Sequence, residues 1–282
     1  MNLTGAARLA GIAGWPVAHS LSPRLHGHWL AKHKIDGAYV PMPVSREGFA
    51  SVLNALQAIG FAGINVTVPH KEAAFALAHE VDDAARAAGA ANLLVFREGR
   101  ILGRNTDAPG FAAALKQALG AKVVRNQAAV VLGAGGAARA VVLALSSLGA
   151  VEIRIVNRVR HRAEMLAATM KPFVQAKLTV VDRVDATDDA ALLVNATSAG
   201  MHGNAPLDIP LEALPKSAAV CDIVYNPLET DLLKYARTQG HRTVDGLGML
   251  MHQAVPSFEA FFGVRPKVTP ALRKLLEAAL HG

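Results

Sequence analysis

Residues 128–148 narrow the fold of this chain more than any other stretch. Ala128-Ala-Val-Val-Leu132 is an unbroken apolar run, Gly133-Ala-Gly135-Gly136-Ala137-Ala138 follows with no spacer, and the residues after it are dominated by Ala, Val and Leu. Such a run reads as a strand buried on both faces, and its glycines turn the backbone tightly into a helix. A strand, a glycine turn and a helix in this order form a cradle for phosphate. Glycines let the backbone approach a pyrophosphate, while the helix N-terminus offers unpaired N–H groups and the positive end of its dipole. An ordinary glycine-rich turn needs none of this context, so the coincidence points to a dinucleotide. Gly133, Ala134, Gly135, Gly136 and Ala137 are the candidate cradle.

The next apolar run, 152–156, ends in Asn157-Arg158-Val159-Arg160-His161-Arg162. A site for NAD places a carboxylate near this point to take the ribose 2′-hydroxyl, whereas arginine accommodates a 2′-phosphate. No acidic residue stands at the strand end. Asn157, Arg158 and Arg162 therefore join the candidate set, and NADP is favoured with NAD left open.

Short apolar runs alternate with helical patterns on both sides of this unit, which describes an α/β chain with parallel strands and crossover helices. Runs at 39–44, 63–68 and 92–96 interleave with helical patterns at 22–33 and 46–59. Those at 179–181, 192–195 and 219–224 follow the glycine turn, and the chain ends in helices from about 247. With 282 residues, two domains are expected. The boundaries fall near 107 and 245, giving 1–107 as one domain and 108–244 as the dinucleotide domain.

Composition removes several classes of function. Apolar residues make up 52% and charged residues 18%, which excludes a disordered chain. The net charge of +7 comes from scattered Lys and Arg with 5% aromatics, so no nucleic-acid surface is expected. The most apolar segment, 128–151, carries Arg139 near its centre and cannot span a membrane. The N-terminus lacks the long apolar core of a signal peptide. Cys221 is a single thiol, so no intrachain disulfide is available. These features point to a cytoplasmic protein. His26 and His28 lie two apart, on different sides of a helix, and no H-E-x-x-H occurs, so no metal is expected.

The first domain presents polar groups at the ends of its apolar runs. Ser22 suits a helix N-cap and Pro23 the first helical position, and hydroxyls beside a helix N-terminus suit a carboxylate. Gly63-Ile-Asn65-Val-Thr67-Val-Pro69-His70-Lys71 is a strand running into a polar turn. Asn92 lies at the end of another run, and Asn105-Thr106-Asp107 marks the domain boundary. Hydroxyls, amides, a lysine and a carboxylate beside a nucleotide domain suit a polyhydroxylated acid.

These residues resemble the shikimate/quinate dehydrogenases, in order and over nearly the whole chain. The opening motif is Gly14-Trp-Pro16 with His19-Ser-Leu-Ser-Pro23 and His26. A lysine motif, Asn65-Val-Thr-Val-Pro69 with Lys71, and an aspartate motif, Gly103-Arg-Asn-Thr-Asp107, follow it. Then come Asn195-Ala-Thr-Ser-Ala-Gly-Met201, Asp222-Ile-Val-Tyr225-Asn-Pro227 and Asp245-Gly-Leu-Gly-Met-Leu250 with Gln253. The resemblance implies a two-domain α/β enzyme: a substrate domain completed by C-terminal helices at 245–282, and a Rossmann-type dinucleotide domain. It implies reversible hydride transfer between NADP and a ring hydroxyl of shikimate, giving 3-dehydroshikimate, in a monomer or homodimer. Lys71 and Asp107 would be the catalytic pair. Ser20 and Ser22 would seat the substrate carboxylate with Tyr225 nearby, and Thr67, Asn92, Asp107 and Gln253 would bond the ring hydroxyls. Thr197, Ile223 and Gly246 would join the cofactor site.

Three positions depart from the family pattern. Gly27 stands where the family carries Asn, Leu93 where it carries Thr, and Val159 where NADP-preferring members carry Thr or Ser. The first two leave quinate or an amino-substituted analogue as alternative substrates. A dinucleotide-sensing regulator on the same fold is the non-enzyme alternative, and a retained Lys71–Asp107 pair speaks against it.

Overall fold

In the computed structural model, residues 3–182, 187–207 and 209–280 are described. The chain divides into two compact units, residues 1–106 with 253–282 and residues 107–252.

The first unit contains strands β1 (Arg8–Gly14), β2 (Gly37–Pro43), β3 (Gly63–Val66), β4 (Glu80–Val81), β5 (Leu93–Arg97) and β6 (Arg100–Arg104). Its helices before residue 106 are α1 (Ser22–His33), α2 (Phe49–Ala58), α3 (Lys71–Leu77) and α4 (Asp83–Ala88). The sheet runs β2-β1-β3-β5-β6-β4. β2, β1 and β3 are parallel, but β5 is antiparallel to both β3 and β6. The first unit is α/β as expected, with a mixed sheet rather than one parallel throughout. The cause is a hairpin, β5–β6, turning at Glu98 and Gly99, both with positive φ. Asn92 precedes β5 rather than closing it. One face of the sheet packs Phe49, Leu53, Ile64, Val66 and Leu94 into a core.

The second unit contains α5 (Asp107–Leu119), β7 (Ala128–Leu132), α6 (Gly136–Ser147), β8 (Glu152–Val156), α7 (Arg160–Met170), β9 (Lys177–Val181), β10 (Ala190–Asn195), β11 (Ala219–Asp222), α8 (Asp231–Thr238) and β12 (Arg242–Val244). Its sheet runs β12-β11-β10-β7-β8-β9, parallel throughout. Every residue of β7 is buried. Ala129 and Val131 enter one core, Val130 and Leu132 the other, which is why the run reads as continuous rather than alternating. α5 starts at Asp107 and takes Pro109 and Gly110 into its first turn. The first N–H groups of a helix have no intrahelical partner, so a proline in the first turn costs nothing there.

Two helices close the chain, α9 (Leu247–Phe262) and α10 (Pro270–Leu280). Gln253 and the residues after it in α9 belong to the first unit. Phe258 and Phe261 are fully buried there and lie against His26, Trp29 and Tyr39.

Candidate functional site

In the first unit, polar groups gather where β1 and β3 end. The ladder continues past the strands: Thr67 N–H donates to Ala13 O (2.9 Å), Trp15 N–H to Val68 O (3.0 Å) and Val44 N–H to Gly14 O (3.1 Å). Gly14 is required by this close approach, because a Cβ there would lie 2.4 Å from Thr67 Cγ2. Thr67 is held half-buried as a result. His70 is buried, stacks on Phe49 with ring centroids 4.5 Å apart, and places Nε2 2.7 Å from Val44 O. That anchor fixes the start of α3, of which Lys71 is the first residue; the Lys71 carbonyl accepts from Ala91 N–H at 2.9 Å. Lys71 itself is half-buried.

Ser22 is the first residue of α1, not its cap. Leu21 occupies the N-cap position with no side-chain bond, and the Ser20 hydroxyl accepts from Ser22 N–H at 3.3 Å. Ser20 thus does the satisfying that the sequence assigned to Ser22.

Tyr39, Asn65 and Ser257 form a network that the sequence did not disclose. The Tyr39 phenol donates to Asn65 Oδ1 (2.8 Å), and Asn65 Nδ2 donates to Ser257 Oγ (2.8 Å) and to Asn92 O (3.1 Å). Ser257 lies one helical turn after Gln253 in α9, so this network fixes the helix that carries Gln253. Burial raises the Tyr39 phenol well above its ordinary range, and it stays neutral and able to donate. His26 stacks on Tyr39 at 3.9 Å; burial lowers its pKa to about 3.

Asn92 is buried and engaged with Thr106. Its Oδ1 accepts from Thr106 N–H at 2.8 Å and its Nδ2 donates to Thr106 Oγ1 at 3.0 Å. This clamps the residue immediately before Asp107, which is buried at the start of α5.

In the second unit, a cleft of about 770 Å³ opens at the carboxyl ends of β7, β8 and β10. Gly133, Ala134, Gly135, Asn157, Arg158, Arg162 and Thr197 line it. Gly133 has φ +108°, and a Cβ there would lie 2.9 Å from Thr197 Cγ2, so only glycine fits. Beyond it, a Cβ on Gly135 or Gly136 would meet no atom within 4 Å. The bare backbone thus leaves room for a ligand at the start of α6, whose first turn holds no acidic side chain. These residues fit a dinucleotide. Among the described residues, Arg158 and Arg162 form no ion pair, whereas Arg160 pairs with Glu164 and Asp182.

Asn195 and Asp222 set the loops around the cleft. Asn195 Oδ1 accepts from Thr197 N–H (3.0 Å) and from the Thr197 hydroxyl (2.7 Å), and its Nδ2 donates to Asp222 Oδ1 (3.0 Å). Asp222 also accepts from Val224 N–H and the Thr230 hydroxyl, and burial raises its pKa. Tyr225, in the following loop, is half-buried and its pKa is likewise raised by burial.

Gly136, Ala137, Ile223 and Gly246 are not among the residues lining the cleft. Gly246 packs on Ile223, where a Cβ would lie 2.0 Å from its carbonyl oxygen, and its N–H donates to Val224 O at 3.1 Å. Of the three departures, Leu93 is fully buried, Gly27 has open space where a Cβ would be, and Val159 is the exposed N-cap of α7 without a side-chain bond. A Thr or Ser there could cap the helix; valine cannot.

A mixed sheet rich in side-chain hydrogen bonds and a parallel sheet with a glycine turn open to a ligand define a two-domain α/β protein of the nucleotide-binding class. The model of the shikimate dehydrogenase substrate binding domain matches residues 12–94, and that of shikimate / quinate 5-dehydrogenase matches residues 115–203. This chain belongs to the shikimate/quinate dehydrogenase family. It is 53% identical over 275 residues to a shikimate dehydrogenase (NADP(+)) of Paramagnetospirillum magneticum, covering 96% of this chain and 98% of that one. A shikimate 5-dehydrogenase structure from Thermus thermophilus, in complex with NADP(H) and shikimate, is 36% identical with a TM-score of 0.85, covering 97% and 98% of the two chains. A ligand-free 5-ketofructose reductase from Gluconobacter reaches a TM-score of 0.89 at 31% identity, covering 99% of each chain, so the fold alone does not set the substrate.

Proposed function

We propose that this chain is a shikimate dehydrogenase, transferring hydride reversibly between a ring hydroxyl of shikimate and NADP to give 3-dehydroshikimate. The observation that carries this reading is the 53% identity, over nearly the full length of both chains, to a relative named for that activity and cofactor. The substrate is a small polyhydroxylated carboxylic acid.

NADP⁺, when bound, supplies the hydride acceptor. Gly133, Ala134 and Gly135 would hold its pyrophosphate on backbone N–H groups, and Arg158 and Arg162 its 2′-phosphate. Ser20 and Ser22 seat the substrate carboxylate. Thr67, Asn92 and Gln253 bond the ring hydroxyls. As the neutral amine, Lys71 accepts the proton of the reacting hydroxyl during oxidation, and as the ammonium it returns it during reduction. Asp107 is the second member of the proposed catalytic pair, and the clamp of Asn92 on Thr106 limits where Asp107 can go.

Initial rates with shikimate and with quinate, each with NADP⁺ and NAD⁺, test the reading. Fast turnover of shikimate with NADP⁺ is expected. Faster turnover of quinate, or a preference for NAD⁺, would replace the substrate or the cofactor named here.

A further inference from the structure

Arg158, Arg160 and Arg162 alternate along the start of α7, yet they are not equivalent. Arg158 and Arg162 line the nucleotide cleft and, among the described residues, pair with no carboxylate. Arg160 bonds Glu164 (2.9 Å) and the Asp182 carboxylate at the end of β9. Asp182 is the acidic residue among the described residues lining the cleft. An unpaired carboxylate at the same cleft as a 2′-phosphate would repel it and offset one of the two arginines.

We infer that Arg160 is a specificity-determining residue acting through Asp182: it neutralises the carboxylate at the cleft and so permits binding of a 2′-phosphorylated adenosine. The inference rests on the reading of this cleft as an NADP site. Arg160 is thus a positioning and charge-compensating residue, and Arg158 and Arg162 are the groups facing the phosphate.

Calorimetric titration of the full chain with adenosine 2′,5′-bisphosphate and with 5′-AMP tests it without turnover. Arg160→Gln should weaken the bisphosphate about five-fold, the size expected of one exposed charge pair, and leave 5′-AMP within about two-fold. Adding Asp182→Asn to Arg160→Gln should restore bisphosphate binding to within about two-fold of the unaltered protein. Both side chains are exposed, and an unchanged thermal midpoint verifies that the variants fold. An unchanged bisphosphate affinity in Arg160→Gln would overturn the inference, as would equal weakening of both probes. A double variant as weak as Arg160→Gln alone would overturn the role of Asp182. If the unaltered protein bound 5′-AMP as tightly as the bisphosphate, the NADP reading itself would fall, and that result appears before any substitution is made.

Discussion

The two units build their candidate sites by opposite means. In the second, the cradle is mainly backbone: a left-handed glycine, two glycines with open space above them, and a helix terminus, all within four residues of one strand. In the first, the site is side chain on side chain, drawn from residues as far apart as Asn65 and Ser257. A backbone cradle tolerates change wherever the turn survives. A side-chain network fails when any member is lost, because a buried polar group left alone costs more than the bond contributed.

The sharpest test of this contrast is catalytic. Lys71→Met should lower kcat by about 10²–10⁴-fold, the usual worth of a positioned proton carrier, with NADP⁺ affinity within a few-fold; an equal loss in cofactor affinity would deny the separation of roles. Next in size is stability. Asn65→Ala strands the Tyr39 phenol and the Ser257 hydroxyl, and should cost about 2–3 kcal/mol in urea unfolding while raising KM for shikimate. Gly133→Ala should cost about 1–3 kcal/mol through its left-handed φ and weaken NADP⁺ instead of shikimate. If both substitutions weakened the same ligand, the division of labour would be wrong.

Acid separates the units as well. The unfolded chain protonates His26 near pH 6.5, but the folded one resists down to about pH 3. Stability therefore falls as pH drops below 6.5, since the unfolded state binds the proton first. Glu152 runs later: the Thr179 hydroxyl, then Lys177 and Arg154, hold its pKa at about 2, so its contribution is present above pH 4.5 and lost between 4.5 and 2. Thermal midpoints across pH should show His26→Leu flattening the earlier limb and Glu152→Gln the later one. The smallest expected effect is a gain. Gly27 sits inside α1 with room for a methyl group, so Gly27→Ala should stabilise by about 0.5–1 kcal/mol, read from the urea midpoint.

What the sequence displayed follows the same division. The strand, glycines and helix at 128–148 could be read in line, because that site's chemistry is local in the chain. The hairpin β5–β6 was missed, since strand direction depends on the turn at Glu98 and Gly99 rather than on the apolar pattern. Asp107 marks a domain boundary in the sequence, and only the structure makes it the first residue of α5, since Pro109 is harmless in a first helical turn. Ser22 looked like a cap, but Ser20 bonds the Ser22 N–H, a matter of backbone geometry.

Residue types and their order alone determined the α/β class, the strand–glycine–helix turn and the basic strand end that favours NADP, and the resemblance proposes Lys71 and Asp107 as the catalytic pair. Tertiary structure alone decided that Tyr39 and Ser257 meet on Asn65, that Asn92 grips Thr106, and that Arg160 answers Asp182 while its neighbours face the cleft. A hydrogen bond is satisfied over about 3 Å, and sequence fixes which groups exist. Which of them come within that distance depends on how the sheets pair and the helices pack.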